Sequence, residues 1–376
     1  MDVSRGLEPL PVSVWPRLEE LPAFQVREEK EKKGLSSSSL RAGTDKKLCF
    51  YSPDHVPGPG GKPDPSEISF PGCSCHSASC LAPTCTCLHY GENYNNLSIK
   101  TEGNELGFSK PVFECNTMCH CGERCQNRVV QLGLQFQLEV FKTIEKGWGL
   151  RTVVFIPKGR FVCEYAGEIL DINEARKRIQ LQTSSDSNYI IAIREHLHDG
   201  TTIETFADPT YIGNVGRFLN HSCEPNLFMV PVRIDSMVPK LALFADRDIC
   251  AGEELSYDYS GRYHNFLPIE VQGSKQEGKE SKKPCFCRTK SCTGFLPFDS
   301  SLFHKDGLSS FVTLSSLADC QQRSGTPDWK LSCQAYFGFG LHIDIYSNRT
   351  RKENERITTN VPVDETYHSS FAKMAM

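Results

Sequence analysis

Residues 213–223 read GNVGRFLNHSC, and residues 252–259 read GEELSYDY. The first stretch ends in Asn220-His221-Ser222-Cys223. A cysteine directly after an Asn-His pair suits three uses: nucleophile, metal ligand or small buried filler. The other cysteines bear on the choice. Cys163 and Cys250 form no motif with it, but CFCRTKSC downstream supplies Cys285, Cys287 and Cys292. Three thiolates are one short of a closed tetrahedral zinc site. Cys223 is the natural fourth, tying the 285–292 segment to a loop about 60 residues earlier. From spacing alone, ligand and filler stand level.

A larger set lies upstream. CSCHSASCLAPTCTC supplies Cys73, Cys75, Cys80, Cys85 and Cys87. After 27 residues, CNTMCHCGERC supplies Cys115, Cys119, Cys121 and Cys125. Zinc takes four thiolates per ion. Nine thiolates fill two separate sites with one sulfur over, or serve three ions if three sulfurs bridge. Three ions leave less uncompensated thiolate charge than two, and the compact, mirrored spacing favours the bridged three-zinc cluster. Such closed sites are structural, with no open position for catalysis.

Composition supports metal over disulfides. The chain has 376 residues, 18 cysteines, a net charge of −4 and a pI of about 6.3. That balance argues against a basic, DNA-coating surface. No stretch approaches the roughly 18 apolar residues that cross a bilayer. The start, MDVSRGLEPLPVSVWPRLEELPAF, lacks an apolar core followed by a small-residue cleavage site. We therefore expect an intracellular protein with no membrane partner, and in a reducing compartment cysteines point to metal or catalysis.

Along the chain, residues 1–48 are charged and serine-rich and read as a flexible N-terminal segment. Residues 49–135 hold the nine cysteines behind a Pro/Gly-rich lead-in at 51–67. Residues 136–261 alternate short β-rich runs with turns: FQLEVFKT, GRFVCEYAGEIL, NYIIAI, TTIETFA, LFMVPVRI and KLALFADRDI. One helix interrupts them, opened by Asp171 with Glu174 three residues on, a capping box. Residues 262–284 are a polar linker, 285–299 hold the second cysteine cluster, and 300–376 form a weakly patterned tail. The Asn348-Arg349-Thr350 sequon reads as chance without a secretory signal. The expected fold is mainly β with few short helices, built from several small sheets.

In order, the nine-cysteine arm, GWGLR at 147–151, GNVGRFLNHSC, GEELSYDY and the final C-x-C-x4-C resemble the SET-domain histone-lysine methyltransferases with pre-SET and post-SET regions. The resemblance covers about residues 49–299. It implies a SET fold flanked by zinc-stapled pre-SET and post-SET segments, three zincs in the first and a fourth at Cys223, Cys285, Cys287 and Cys292. It implies S-adenosylmethionine as methyl donor, consistent with the lack of a G-x-G-x-x-G after a strand. By resemblance, Lys146, Gly147, Trp148, Tyr189, Arg217, Asn220 and His221 hold this cofactor. Asn220 and His221 would line its pocket, not the metal shell. Tyr259 matches the catalytic tyrosine, and Tyr165 a channel wall. Tyr257 stands where a phenylalanine would leave more room, so mono- and dimethylation are expected. The implied partner is the histone H3 tail on the nucleosome, at lysine 36 or lysine 9, in the nucleus on chromosomes. The 77 residues after 299 have no transposase-like content, so no transposase-derived DNA-binding domain is expected.

The chemistry suits these residues. Methyl transfer from a sulfonium needs a neutral lysine amine, although free lysine has a pKa near 10.4. An apolar channel beside a positive sulfonium pushes it down. Tyrosine rings line such a channel, and their hydroxyls orient the amine without adding charge. Cys163, beside Tyr165, reads as a strand filler. A second reading is a zinc-stapled, catalytically weak recruitment module on chromatin. The intact motifs favour the enzyme.

Overall fold

The structure, a computed structural model, describes residues 2–15, 24–25, 49–82, 84–100, 111–182, 187–196, 202–260, 283–297, 312–313 and 342–347. Two sheets of mostly short strands dominate these residues. The first runs Ser13–Trp15, Leu138–Lys142, Trp148–Thr152, Glu254–Tyr257, Leu227–Arg233, Lys240–Ala245 and Phe161–Glu164. Asn220–His221 pairs with Glu254–Tyr257, placing Asn220 opposite Ser256 and His221 opposite Tyr257. In the second sheet, His342–Ser347, Ile191–His196, Thr202–Gly213, Gly167–Leu170 and Val56–Pro57 follow one another.

β-branched and aromatic residues explain the strands, and burial explains their order. Leu138, Val140, Leu150, Val162, Ile169, Ile191, Leu241, Leu243 and Leu255 form one buried cluster that also contains Tyr165 and Tyr257. Each such aliphatic side chain contributes about 1.5–3 kcal/mol when buried. A bidentate ion pair joins the sheets. Arg233 donates to both Glu195 oxygens, at 2.9 and 2.6 Å, with neither side chain exposed. Removing one partner would cost about 3–5 kcal/mol by stranding the other charge.

Ile172–Gln180 is the one α-helix among the described residues. Asp171 accepts from Glu174 N at 2.7 Å, the first half of the capping box. Glu174 turns instead to Lys177 and Arg178. Strands form at each of the six β-rich runs. Trp148–Thr152, read above as a binding motif, is also a strand.

The N-terminus departs from expectation. Residues 2–15 are not a loose segment: Ser13–Trp15 pairs in parallel with Glu139–Phe141, and Val3, Val12 and Val14 are buried in the main core. Asp2 holds the turn before them, accepting from Ser4, Gly6 and Val12 backbone N–H groups at 2.8–3.0 Å. Burying three valines outweighs the local polarity that made the segment read as unstructured. Most of the 262–284 linker lies outside the described residues, as does the tail apart from Val312–Thr313 and His342–Ser347.

Candidate active site and thiolate clusters

The GNVGRFLNHSC stretch is pinned at its start. Asn214 caps the 3₁₀ turn Val215–Phe218, accepting from Gly216 N at 3.0 Å and from Ala166 N at 3.2 Å. A Cβ on Gly216 would lie 2.5 Å from Glu164 O and 2.9 Å from Tyr165 Cα. Only glycine permits that approach. It brings the 217–223 segment against Tyr165, which lies between the strands Phe161–Glu164 and Gly167–Leu170.

Three tyrosines meet there. The rings of Tyr257 and Tyr259 lie 4.9 Å apart, and those of Tyr165 and Tyr257 6.2 Å apart. Tyr259 donates its hydroxyl to Leu219 O at 2.8 Å, and Tyr165 donates to Tyr189 O at 2.6 Å. Each hydroxyl proton is thus committed to a carbonyl, which leaves oxygen lone pairs to accept. Burial holds the Tyr165 hydroxyl well above the usual tyrosine range, so it stays neutral.

Asn220 faces the other way. Its Nδ2 donates to Trp148 O at 3.2 Å and to Glu254 Oε1 at 3.0 Å, while Lys146 Nζ donates to Glu254 Oε2 at 2.6 Å. Glu254 thereby joins the Lys146–Gly147–Trp148 turn to the Asn220 loop. Gly147 has φ +79°, and open space lies where a Cβ would be. Thr143 closes the turn, accepting from Lys146 N at 2.9 Å and donating its hydroxyl to Gly147 O at 2.8 Å. Arg217 is buried, its guanidinium 4.6 Å from the Tyr189 ring centroid.

The His221 ring lies between Tyr259 and Cys223. Its Nδ1 accepts from Tyr259 N at 3.2 Å, which leaves the proton on Nε2, 3.4 Å from Cys223 Sγ. The ring therefore links the Tyr259 backbone to the cysteine, because the strand pairing turns it toward Tyr257–Tyr259. Such an N–H fixes the ring and would tune the sulfur were it to bind a metal.

Both cysteine sets converge. The sulfurs of Cys223, Cys285, Cys287 and Cys292 all lie within 4.8 Å of one another. Cys73, Cys75, Cys80 and Cys85 form a second tetrad, Cys73, Cys87, Cys115 and Cys119 a third, and Cys73, Cys80, Cys115 and Cys121 a fourth. Cys125 Sγ is 4.0 Å from Cys115 Sγ. A Zn–S bond of about 2.3 Å puts tetrahedral sulfurs about 3.8 Å apart. The pairs Cys73–Cys80, Cys80–Cys115 and Cys87–Cys119 stand at 3.7, 3.7 and 3.6 Å. A disulfide would need about 2.05 Å. The donor set fits zinc, and Cys223 lies with Cys285, Cys287 and Cys292.

Sequence reasoning missed Glu254, although it lies inside the quoted GEELSYDY, and Asn226. Asn226 accepts from Ser256 N at 2.9 Å and donates to Glu254 O at 2.8 Å, aligning the strand that carries Tyr257. A lone buried asparagine leaves no pattern to read.

Comparison with known proteins gives this geometry its context. Residues 38–128 match the Pre-SET motif and residues 147–260 the SET domain. The histone-lysine N-methyltransferase SETMAR of Bos taurus is 58% identical over 304 residues, 81% of this chain and 91% of that protein. The chain belongs to the SET-domain histone-lysine N-methyltransferases. It is accordingly an enzyme. Human SETMAR is 57% identical over 304 residues, but those residues span 41% of its length. The crystal structure of the human SETMAR methyltransferase domain superposes with a TM-score of 0.65 at 54% identity, covering 80% of this chain and 98% of that one. Arabidopsis thaliana SUVH6, solved with S-adenosylmethionine, gives a TM-score of 0.55 at 30% identity, covering 79% and 55%.

Proposed function

We propose that this protein transfers methyl groups from S-adenosylmethionine to a histone H3 tail lysine, at lysine 9 or lysine 36, on chromosomes in the nucleus. Mono- and dimethyl products predominate. The observation that carries this reading is the meeting of Tyr165, Tyr257 and Tyr259 beside the Asn220-His221-Cys223 loop. Bound S-adenosylmethionine would supply an electrophilic methyl on a sulfonium. Lys146, Gly147, Trp148, Tyr189, Arg217, Asn220 and His221 would hold it, with the open space over Gly147 leaving room for close approach. The hydroxyl oxygens of Tyr165 and Tyr259, their protons already given to carbonyls, would accept from the lysine amine and aim its lone pair. The apolar rings and neutral Tyr165 would favour the uncharged amine. Tyr257 would fill the space that a more highly methylated amine needs.

Nine pre-SET thiolates would hold three zincs, with Cys73, Cys80 and Cys115 as the bridging sulfurs, and Cys223 with Cys285, Cys287 and Cys292 a fourth. The segment boundaries follow the same reading: pre-SET 49–135, SET 136–261 and post-SET 285–299. The H3 assignment draws support from a relative: KRYPTONITE, similar at 27% identity with a TM-score of 0.52, has been solved with an H3(1-15) peptide. The test is methylation of a histone-peptide array by the full chain, read by mass spectrometry. Mono- and dimethyl lysine on H3 peptides supports the reading. Zinc-replete, cofactor-binding protein that methylates no histone peptide overturns it.

A further inference from the structure

Residues 283–297 fold back on themselves into a small knuckle. Cys285 N donates to Gly294 O at 3.0 Å, Leu296 N to Lys283 O at 3.0 Å, and Cys292 N to Thr289 O at 3.2 Å. Beyond the shared cysteine site, Glu224 and Arg288 make polar contacts that dock this knuckle. Glu224 Oε1, next to Cys223, accepts from Ser291 N at 3.0 Å and Ser291 Oγ at 2.9 Å. Arg288 Nη2 donates to Glu145 Oε2 at 2.8 Å. The first contact lies on the loop that the metal ligands already tether. The second reaches across to the hairpin turn, one residue before Lys146.

Arg288 is also conformationally unusual. Its φ is +58°, a left-handed backbone that favours glycine or asparagine. Backbone geometry therefore gives no reason for a long cation between Cys287 and Thr289. The reach to Glu145 gives one. The neighbouring cation, Lys146, is directed at Glu254 and does not take its place.

We infer that Glu145 and Arg288 are a positioning pair that latches the post-SET knuckle over the Lys146–Gly147–Trp148 turn and so sets how tightly the cofactor is held. This rests on the proposal that the turn binds S-adenosylmethionine. The side chains are 68% and 39% exposed for Arg288 and Glu145. Exposed pairs of this kind are weak and salt-screened. That suits a latch that opens for cofactor exchange, while the metal site keeps the knuckle from drifting away.

The test uses the full chain with Arg288→Glu, Glu145→Arg, the double exchange, and Asn220→Ala. KM for S-adenosylmethionine, kcat and zinc content are measured at low and high salt. Each single reversal should raise KM about three- to fivefold, with kcat and zinc content unchanged and the effect smaller in high salt. The double exchange should return KM to within about twofold of the parent. A merely structural role would lower zinc content or kcat, and swapping the charges would not restore them. Unchanged KM in Arg288→Glu, or no recovery in the double exchange, overturns the latch if Asn220→Ala has lost cofactor affinity. Unchanged affinity in Asn220→Ala overturns the site reading, and the latch with it.

Discussion

Replacing Asn220 by alanine removes two side-chain hydrogen bonds, which tie it directly to the Lys146–Gly147–Trp148 turn and, through Glu254, to Lys146. One runs to the Trp148 carbonyl at 3.2 Å and the other to the Glu254 carboxylate at 3.0 Å. A neutral hydrogen bond contributes about 1 kcal/mol and one to a charged group about 1.5–3, so roughly 3 kcal/mol holds the turn against the loop. Each 1.4 kcal/mol is about tenfold in affinity. Water can replace part of the contact to Glu254, which keeps its ion pair with Lys146. We therefore expect S-adenosylmethionine to bind between about tenfold and a hundredfold more weakly, measured by titration calorimetry, with zinc content unchanged. Asn220→Asp should be worse, because it sets a second carboxylate against Glu254. Affinity within about twofold of the parent would mean that these bonds do not hold the turn for S-adenosylmethionine.

Three further outcomes follow from the same geometry. Cys223→Ser should lower elemental zinc by about one ion per chain and abolish methyl transfer, since the knuckle loses its tether; full zinc content in the variant would remove Cys223 from the ligand set. Tyr257→Phe opens the space beside Tyr259 and should shift products toward trimethyl-lysine by mass spectrometry, whereas an unchanged product ratio would mean that the position only packs. Glu8 carries a pH signature. Burial raises its pKa from 4.5 to about 7, against the Tyr51 hydroxyl that donates to it at 2.7 Å. Between those values the folded chain keeps a proton that the unfolded chain releases, so the stability Glu8 contributes declines as pH rises through that window. Glu8→Gln should flatten the fall of Tm there, and an identical slope in both proteins would count against the buried-acid account.

The convergence of the cysteine sets was the most legible part of this chain, because the number and spacing of thiolates are local features of the sequence. The fold class was also readable. Alternating β-branched runs between turns describe strands wherever the chain later pairs. What escaped was non-local. Trp15 pairs with Phe141, and nothing in the proline-flanked SVW announces a partner that far along the chain. Glu254 is one of two adjacent acids in GEELSYDY, and only the fold places Lys146 and Asn220 on its two oxygens. The orientation of the His221 ring was likewise beyond the sequence. Its ring is aimed by strand pairing with Tyr257, which turns it toward Cys223 and Tyr259.

That link makes Tyr259 the residue on which the account turns, and its hydroxyl can be removed without disturbing the ring packing against His221 and Tyr257. The most direct measurement compares parent protein and Tyr259→Phe, matched for zinc content and S-adenosylmethionine affinity, for transfer of labelled methyl to histone H3. The parent should transfer methyl, and the variant should do so about a hundredfold or more slowly. Equal rates would contradict this, by showing that methyl transfer does not depend on the tyrosine around which the site is built.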